Sequence, residues 1–386
     1  MPSPFANLNK KRSKITFDVE KVDVSVVNAL RRTIISEVPT VAIAFDPTGK
    51  SGDIVVHTNT GSLHNEFLAH RFSLLPLHFP KEEVEMFIPS KYMFELKVKN
   101  NTEEMMDVTS KHVQIYDEHG KRYPQSFRDT IFPMNHITGD HILLTRLKPN
   151  LFDKDKGDEI YLQAYASVDI GKSHSRWSPV SVCSFYNNVD PEEKEKGFKE
   201  YKKEHQNKAL SDAELSARFD TLQQFRCFKK NEFMEPESFH FTLESECGLS
   251  PEYIFRKGIT VLSKKLGKFI DAIDTEDGTV EFDSQHQNMH YITVKGEDHT
   301  LGNLIQAMFY NMYVRKGKQT DEEGVSYIGY YKPHPLEDCI LIKVAITGDN
   351  VRELMKQGAK KIVAYLQQLG DEWDGFVAAG PDETDA

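Results

Sequence analysis

Four groups of side chains in this sequence have types that could do chemistry. The cysteines Cys183, Cys227, Cys247 and Cys339 could bind metal or form disulfides, but they are scattered with no CxxC pair. Zinc sites and disulfide frameworks show paired spacings, so buried free thiols are the expectation and no metal is assigned. Asn65, Glu66, His70 and Arg71 lie within LHNEFLAHR, where Leu63, Phe67 and Leu68 would share a helical face. A metal needs three or four convergent ligands, so a capping and hydrogen-bonding cluster is expected there instead. Arg31 and Arg32 could offer forked donors to carboxylates or carbonyls of a partner, although two helix arginines are also ordinary surface groups. Lys172, His174, Arg176 and Trp177 make a basic and aromatic patch of the kind enriched at interface hot spots; Trp177 would fit a core equally well.

No glycine-rich phosphate loop, nucleophile elbow, metal triad or cluster of aspartates for paired metals is found, so neither an active site nor a cofactor is expected. A length of 386 residues implies two or three domains, and 39% hydrophobic with 28% charged residues is ordinary for a globular chain. A net charge of −11 disfavours a general nucleic-acid clamp, because phosphate binding is driven by clustered lysine and arginine. Protein partners fit better, with DNA reached only indirectly. No run approaches the roughly 18 apolar residues of a membrane span, and the basic N-terminal segment lacks a signal-peptide core, so an intracellular chain is expected.

These side chains need elements to position them. Ile15, Phe17 and Val19 alternate as in a strand; Asp23 can then cap a helix with Val24, Val27, Leu30, Ile34 and Val38 on one face, stopped by Pro39. Residues 49–231 read as a β-rich insert, with runs such as DIVVHT, YMFELKV and EIYLQAYASVDI, plus a charged helix at 190–205 and a capping box at Ser211 and Glu214. The strand SFHFTLES precedes a helix from Pro251 whose stripe includes Leu262, Leu266 and Phe269. The polar stretch 274–288 reads as a linker. Then strand HYITVKG leads to a helix with Leu301, Leu304, Ile305 and Met308 inward, and strand CILIKVAI to a long helix carrying Ile362 and Leu366.

The order strand, helix, strand, helix thus occurs twice, and VSVVNALRR aligns with HTLGNLIQA so that Asn28 matches Asn303. A layer of this kind cannot cover both faces of its core, so the two copies are expected to bury each other as a pseudo-twofold pair. The expected core is Val27, Leu30 and Ile34 with Leu262, Leu266, Leu301, Leu304, Ile305, Met308, Ile362 and Leu366.

The runs VDVSVVNALRRTIISEVPTVAI and NTGSLHNEFLAHRFSLLPL closely resemble the larger α-like subunit of eukaryotic and archaeal RNA polymerases. GKSHSRWSPV is similar to that subunit's approach to its Trp-Xaa-Pro motif, whereas EDHTLGNLIQAMF and YIGYYKPHPLEDCILIKV resemble the smaller α-like subunit. The resemblance implies an α+β fold of two α-like dimerisation units paired within one chain. It implies residues 1–48 with 232–273 as the first unit, 49–231 as its insert, 274–288 as linker, 289–373 as the second unit and 374–386 as an acidic tail. It further implies a non-catalytic assembly platform that docks the two large catalytic subunits and small accessory subunits, with Arg31 and Arg32 facing one large subunit. Many eukaryotic larger α-like subunits carry a zinc-binding cysteine cluster soon after the Leu-Pro-Leu segment; here the run HFPKEEVEMFIPSKYMFELKV that follows Leu75-Pro76-Leu77 holds no cysteine, so zinc is not implied there. The fused arrangement resembles that of nucleocytoplasmic large DNA viruses, which implies a virion and host-cytoplasm location, with the nucleus as the alternative. A free-standing adaptor with the same fold is the competing reading. Arg32→Glu is expected to leave folding intact.

Overall fold

The computed structural model describes residues 3–46, 53–150, 152–153, 157–205, 211–286, 288–315, 324–347 and 350–380. It forms two compact units. The first takes the residues up to Ile34, Val182–Glu244 and those from Pro251 on; the second takes Ile35–Ser181 and Ser245–Ser250.

The chain enters through β1 (Phe5–Lys11), β2 (Lys14–Glu20) and α1 (Val24–Glu37). It then builds the second unit from β3 (Thr40–Ala42), β4 (Ile54–Asn59), α2 (Asn65–Ser73), α3 (Lys81–Glu85), β5 (Met93–Lys99) and β6 (Met106–Thr109). The same unit continues with β7 (Val113–Tyr116), α4 (Gln125–Ile131), β8 (Leu143–Leu147), β9 (Glu159–Tyr165) and β10 (Ser167–Asp169). Strand β11 (Val180–Asn187) returns to the first unit, followed by α5 (Pro191–Glu204), α6 (Asp212–Leu222), β12 (Ser238–Ser245) and α7 (Pro251–Thr275). The last stretch is β13 (Val280–His286), β14 (Met289–Lys295), α8 (His299–Phe309), a π-helical turn at Tyr310–Val314, β15 (Val325–Tyr331), β16 (Cys339–Ile346) and α9 (Val351–Ala378).

The first unit holds two four-stranded sheets, β1-β2-β12-β11 and β13-β14-β16-β15. They correspond strand for strand, so the repeat is larger than strand, helix, strand, helix: each copy runs hairpin, helix, edge strand, inner strand, long helix. Inner strands alternate cleanly, as in β12, where Phe239, Phe241 and Leu243 are buried and His240 and Thr242 are not. The outer strands escape the period-two pattern for physical reasons. In β1 a register shift between Ala6 and Asn9, with Asn7 at φ 54°, breaks the alternation. Strand β13 lies at a sheet edge, where polar residues discourage pairing with other chains.

Three expected boundaries are corrected. Residues 274–288 are not a linker: α7 runs to Thr275 and β13 begins at Val280, so a short turn with Glu276 and Gly278 at positive φ joins the copies. The insert does not extend to 231, because β11 joins β12 in the first sheet and carries α5 and α6 with it. The tail does not start at 374, because α9 continues to Ala378; residues 381–386 of that expected tail lie outside the described residues. Helix α5 starts where expected, with Asp190 accepting from the Glu192 N–H, and α6 has its capping box between Ser211 and Glu214.

In the second unit, β4-β9-β5-β7 form one antiparallel sheet, and β6-β8 and β10-β3 form two short ladders. Phe94, Leu96, Val113, Ile115 and Leu162 are buried in this unit. Among the described residues, no helix is long and apolar enough to cross a membrane.

Candidate functional site

The site is the seam inside the first unit where the two copies meet. Helices α7 and α9 lie antiparallel along each other: Arg256 near the start of α7 bonds Asp374 near the end of α9, and Arg352 and Lys356 at the start of α9 bond Glu276 and Asp274 at the end of α7. Counted from Pro251 and Val351, nine of the ten buried positions of each helix coincide, the exceptions being Ala272 and Gly370. Phe255, Gly258, Leu262 and Leu266 thus occupy positions equivalent to Met355, Gly358, Ile362 and Leu366. The glycines explain how the shorter helices seat. A Cβ on Gly258 would meet Ile34 Cγ1 at 2.7 Å, and one on Gly358 would meet Phe309 Cζ at 2.2 Å. With Asn28 and Asn303 in register, Ile34 and Phe309 are equivalent positions of α1 and α8.

Most of the expected core is buried: Val27, Leu30, Ile34, Leu262, Leu266, Leu301, Leu304, Ile305, Ile362 and Leu366. Met308 is a correction. It is only half-buried, and its neighbour Phe309 turns inward because Gly358 leaves room for the ring. An aromatic cluster that sequence patterns do not reveal joins the copies: Trp373 of α9 lies 4.7 Å from Phe17 and 4.3 Å from Phe255 by ring centroids, and its indole N–H donates to the Glu252 carbonyl. Such ring pairs add about 1 kcal/mol beyond their buried area.

The helix caps cross the seam. Asp23 accepts from the Ser25 N–H and hydroxyl at the start of α1, and Asp298 accepts from the Thr300 N–H at the start of α8. Arg32, on α1, donates through Nε to Thr300 Oγ1 at 2.9 Å and places Nη2 3.9 Å from Asp298 Oδ2. Reciprocally, Asn311 after α8 donates to Asp23 Oδ2 at 2.7 Å. Burial pushes the Asp298 carboxyl up, but the Thr300 backbone and hydroxyl bonds and the charges of Lys265 and Arg32 outweigh it and hold the group below the ordinary range. At the equivalent position of α9, burial and the charges of Asp23 and Glu372 push the Tyr365 hydroxyl up to about 12.

The expected arginine pair is therefore used differently from the reading of two outward donors. Arg32 is turned onto the other copy within the chain, so Arg32→Glu would set a carboxylate against Asp298 and is no longer a neutral surface change. Arg31 folds back on its own helix, donating through Nε and Nη2 to Asn28 Oδ1. The thiol of Cys183 reaches the Arg31 carbonyl at 3.7 Å, and burial pushes it up to about 12, the state of an inert thiol.

The second patch lies within the second unit. Trp177 is corrected to core: it is buried, its indole N–H donates to the Ser167 carbonyl, and Thr40 Oγ1 donates to its carbonyl, so it ties β10 to β3. Arg176 is half-buried, donating to the Ile43 carbonyl at 3.0 Å with its guanidinium 5.5 Å from the Trp177 ring. Lys172 and His174 are exposed. The His174 imidazole sits below its ordinary value because burial, Arg176 and His70 all disfavour the cation. In the LHNEFLAHR segment, Arg71 donates to the Leu144 and Leu143 carbonyls and Asn65 accepts from Asn59, while no side chain among the described residues caps α2, so the expected capping role is not seen. Among the described residues no group of three or more His, Cys, Asp or Glu is placed to hold a metal ion.

Two like copies, each a four-stranded antiparallel sheet with two helices, exchanging caps and aromatics across a local twofold seam, define a dimerisation fold paired within one polypeptide. The chain belongs to the RNA polymerase Rpb3/Rpb11 dimerisation domain family, which matches it twice, over residues 16–266 and 290–372. It is 28% identical over 197 residues to a conjugation stage-specific protein of Tetrahymena thermophila, covering 48% of this chain and 58% of that protein. It is 27% identical over 306 residues to subunit 3B of DNA-directed RNA polymerases IV and V of Arabidopsis thaliana, covering 70% of this chain and 89% of the relative. With the DNA-directed RNA polymerase subunit Rpo3 of Pyrococcus horikoshii it shares 25% identity over 278 residues, 69% of this chain and 96% of that subunit. The chain thus spans just over half the length of some curated relatives and nearly all of others.

Proposed function

We propose that the protein is a non-catalytic assembly subunit of a DNA-directed RNA polymerase that supplies both α-like halves from one chain. The observation that carries this reading is the reciprocal seam itself: family domains that pair with one another are already paired here by α7 against α9 and by crossed caps. A short turn between α7 and β13 holds the halves at high effective concentration, so pairing does not depend on dilution. In this reading the paired halves dock two large catalytic subunits and small accessory subunits, and DNA is met only through the complex. Arg31, Lys172 and His174 are the contact residues from the expected set whose side chains are not committed across the seam or to the core. The fusion of the halves supports a polymerase of a large DNA virus, carried in virions and active in host cytoplasm.

The test is a tagged purification from the native source with mass spectrometry after a high-salt wash. Two very large polymerase subunits recovered in near-equal amounts, with no separate smaller α-like subunit, are the expected result. Recovery of the chain alone, or with unrelated proteins only, would replace this reading with that of a free-standing adaptor.

A further inference from the structure

The two crossed caps are equivalent in position and differ in the charges set around them. At the α8 cap, Asp298 faces two cations, Arg32 and Lys265. At the α1 cap the equivalent positions are Ala307 and Tyr365, and Asp23 accepts only from Ser25 and Asn311; no ion pair reaches it among the described residues. Where Arg32 fills one seat, the short side chain of Ala307 leaves the other open as a cavity of about 580 Å³.

The wall of that cavity carries four carboxylates, Asp23, Glu232, Glu235 and Glu237, against Lys21 and Arg315. Arg315 is already committed, bonded to Glu235 with its guanidinium 4.1 Å from the Phe233 ring. Glu232 and Glu237 make no side-chain hydrogen bond among the described residues, nor do the lining amides Asn303 and Gln306. Asn303 differs in this from its equivalent Asn28, whose oxygen takes two bonds from Arg31. Among the described residues the cavity is thus short of cations and rich in unanswered acceptors.

We propose that this cavity is a docking site for an arginine side chain presented by a protein partner, seated against Asp23 as Arg32 is seated against Asp298. The occupant is fixed by complementarity. A guanidinium carries five donors in a planar fork and can meet a carboxylate and side-chain amide oxygens together, which an ammonium does less well. Nucleic acid is disfavoured because the wall would set carboxylates against phosphates. The inference stands on the geometry of the seam and holds whether or not the partner is a polymerase subunit.

The experiment is calorimetric titration of the full chain, at low ionic strength, with acetyl-Gly-Arg-Gly-amide and with its citrulline counterpart, which keeps the shape and loses the charge. The arginine peptide should bind at least about tenfold more tightly than the citrulline one, the size expected for a charge-assisted bond. Ala307→Arg should abolish binding, because the chain then fills its own seat, and should raise Tm by about 2 °C. Glu237→Gln should weaken binding severalfold with an unchanged melt, and it carries the test if Ala307→Arg fails to fold. Equal binding of the two peptides, no binding of either, or unaltered binding by a folded Ala307→Arg or Glu237→Gln variant would overturn the proposal.

Discussion

The α1 cap and the α8 cap start from the same residue type in the same place, an aspartate bonding the N–H two residues on, and are then answered differently. Asp298 lies in the field of Arg32 and Lys265, whereas Asp23 receives Asn311 and lies near neutral Tyr365. The apolar layer beneath diverges little, since nine of ten buried positions of α7 and α9 coincide and each helix offers a glycine to the shorter helix of its own copy. Shared packing makes the halves fit each other; unlike side chains at the caps make the pair directional. An internally repeated protein can thus keep one interface geometry while giving each side of it a different electrostatic character.

If the halves share one core, damage to either must unfold both. Leu304→Asp or Leu366→Asp buries an unpaired charge and should abolish the cooperative thermal transition, a loss of more than about 4 kcal/mol; separate melting of the two halves would break the shared-core account. The glycines sharpen it. Gly358→Ala should cost about 2 kcal/mol in a denaturant melt and Gly258→Ala about 1, because the buried Phe309 ring has less room to yield than an isoleucine branch. At the caps, Arg32→Ala should cost about 1 kcal/mol, since it removes a charged bond that is partly exposed. A melt unchanged in Arg32→Ala would return Arg32 to the role of an outward contact. The smallest effect is in pH. The folded Asp298 carboxyl lies below its unfolded value of about 3.9, so its contribution is complete above that value and is lost as pH falls through the lower, folded one. Acid titration of stability should show this loss reduced in Arg32→Ala.

Much of the architecture was legible because period and capping are local signals. The stripes of α1, α7, α8 and α9, the cap at Asp23 and the capping box at Ser211 all came from neighbouring residues. The strands β1, β13 and β15 were not read as strands, because bulged or polar edge strands owe their existence to the partner they pair with. For the same reason β11 was assigned to the wrong unit. The repeated asparagines, Asn28 and Asn303, pointed to the seam; the aspartates in register five residues before them were the further signal that could have located the crossed caps.

Sequence alone determined that the chain repeats an amphipathic strand-and-helix plan, that its copies must cover each other, and that no catalytic constellation was expected. These follow from spacing along the chain, which sets which residues share a face. Only the tertiary structure decided that Trp177 ties two strands together, that Phe309 and not Met308 points inward, and that Arg32 is spent across the seam while Asp23 meets no cation among the described residues. Those outcomes depend on contacts between residues from 10 to 288 positions apart, and the direction of a side chain is settled by whichever neighbour in space leaves it room or offers it charge.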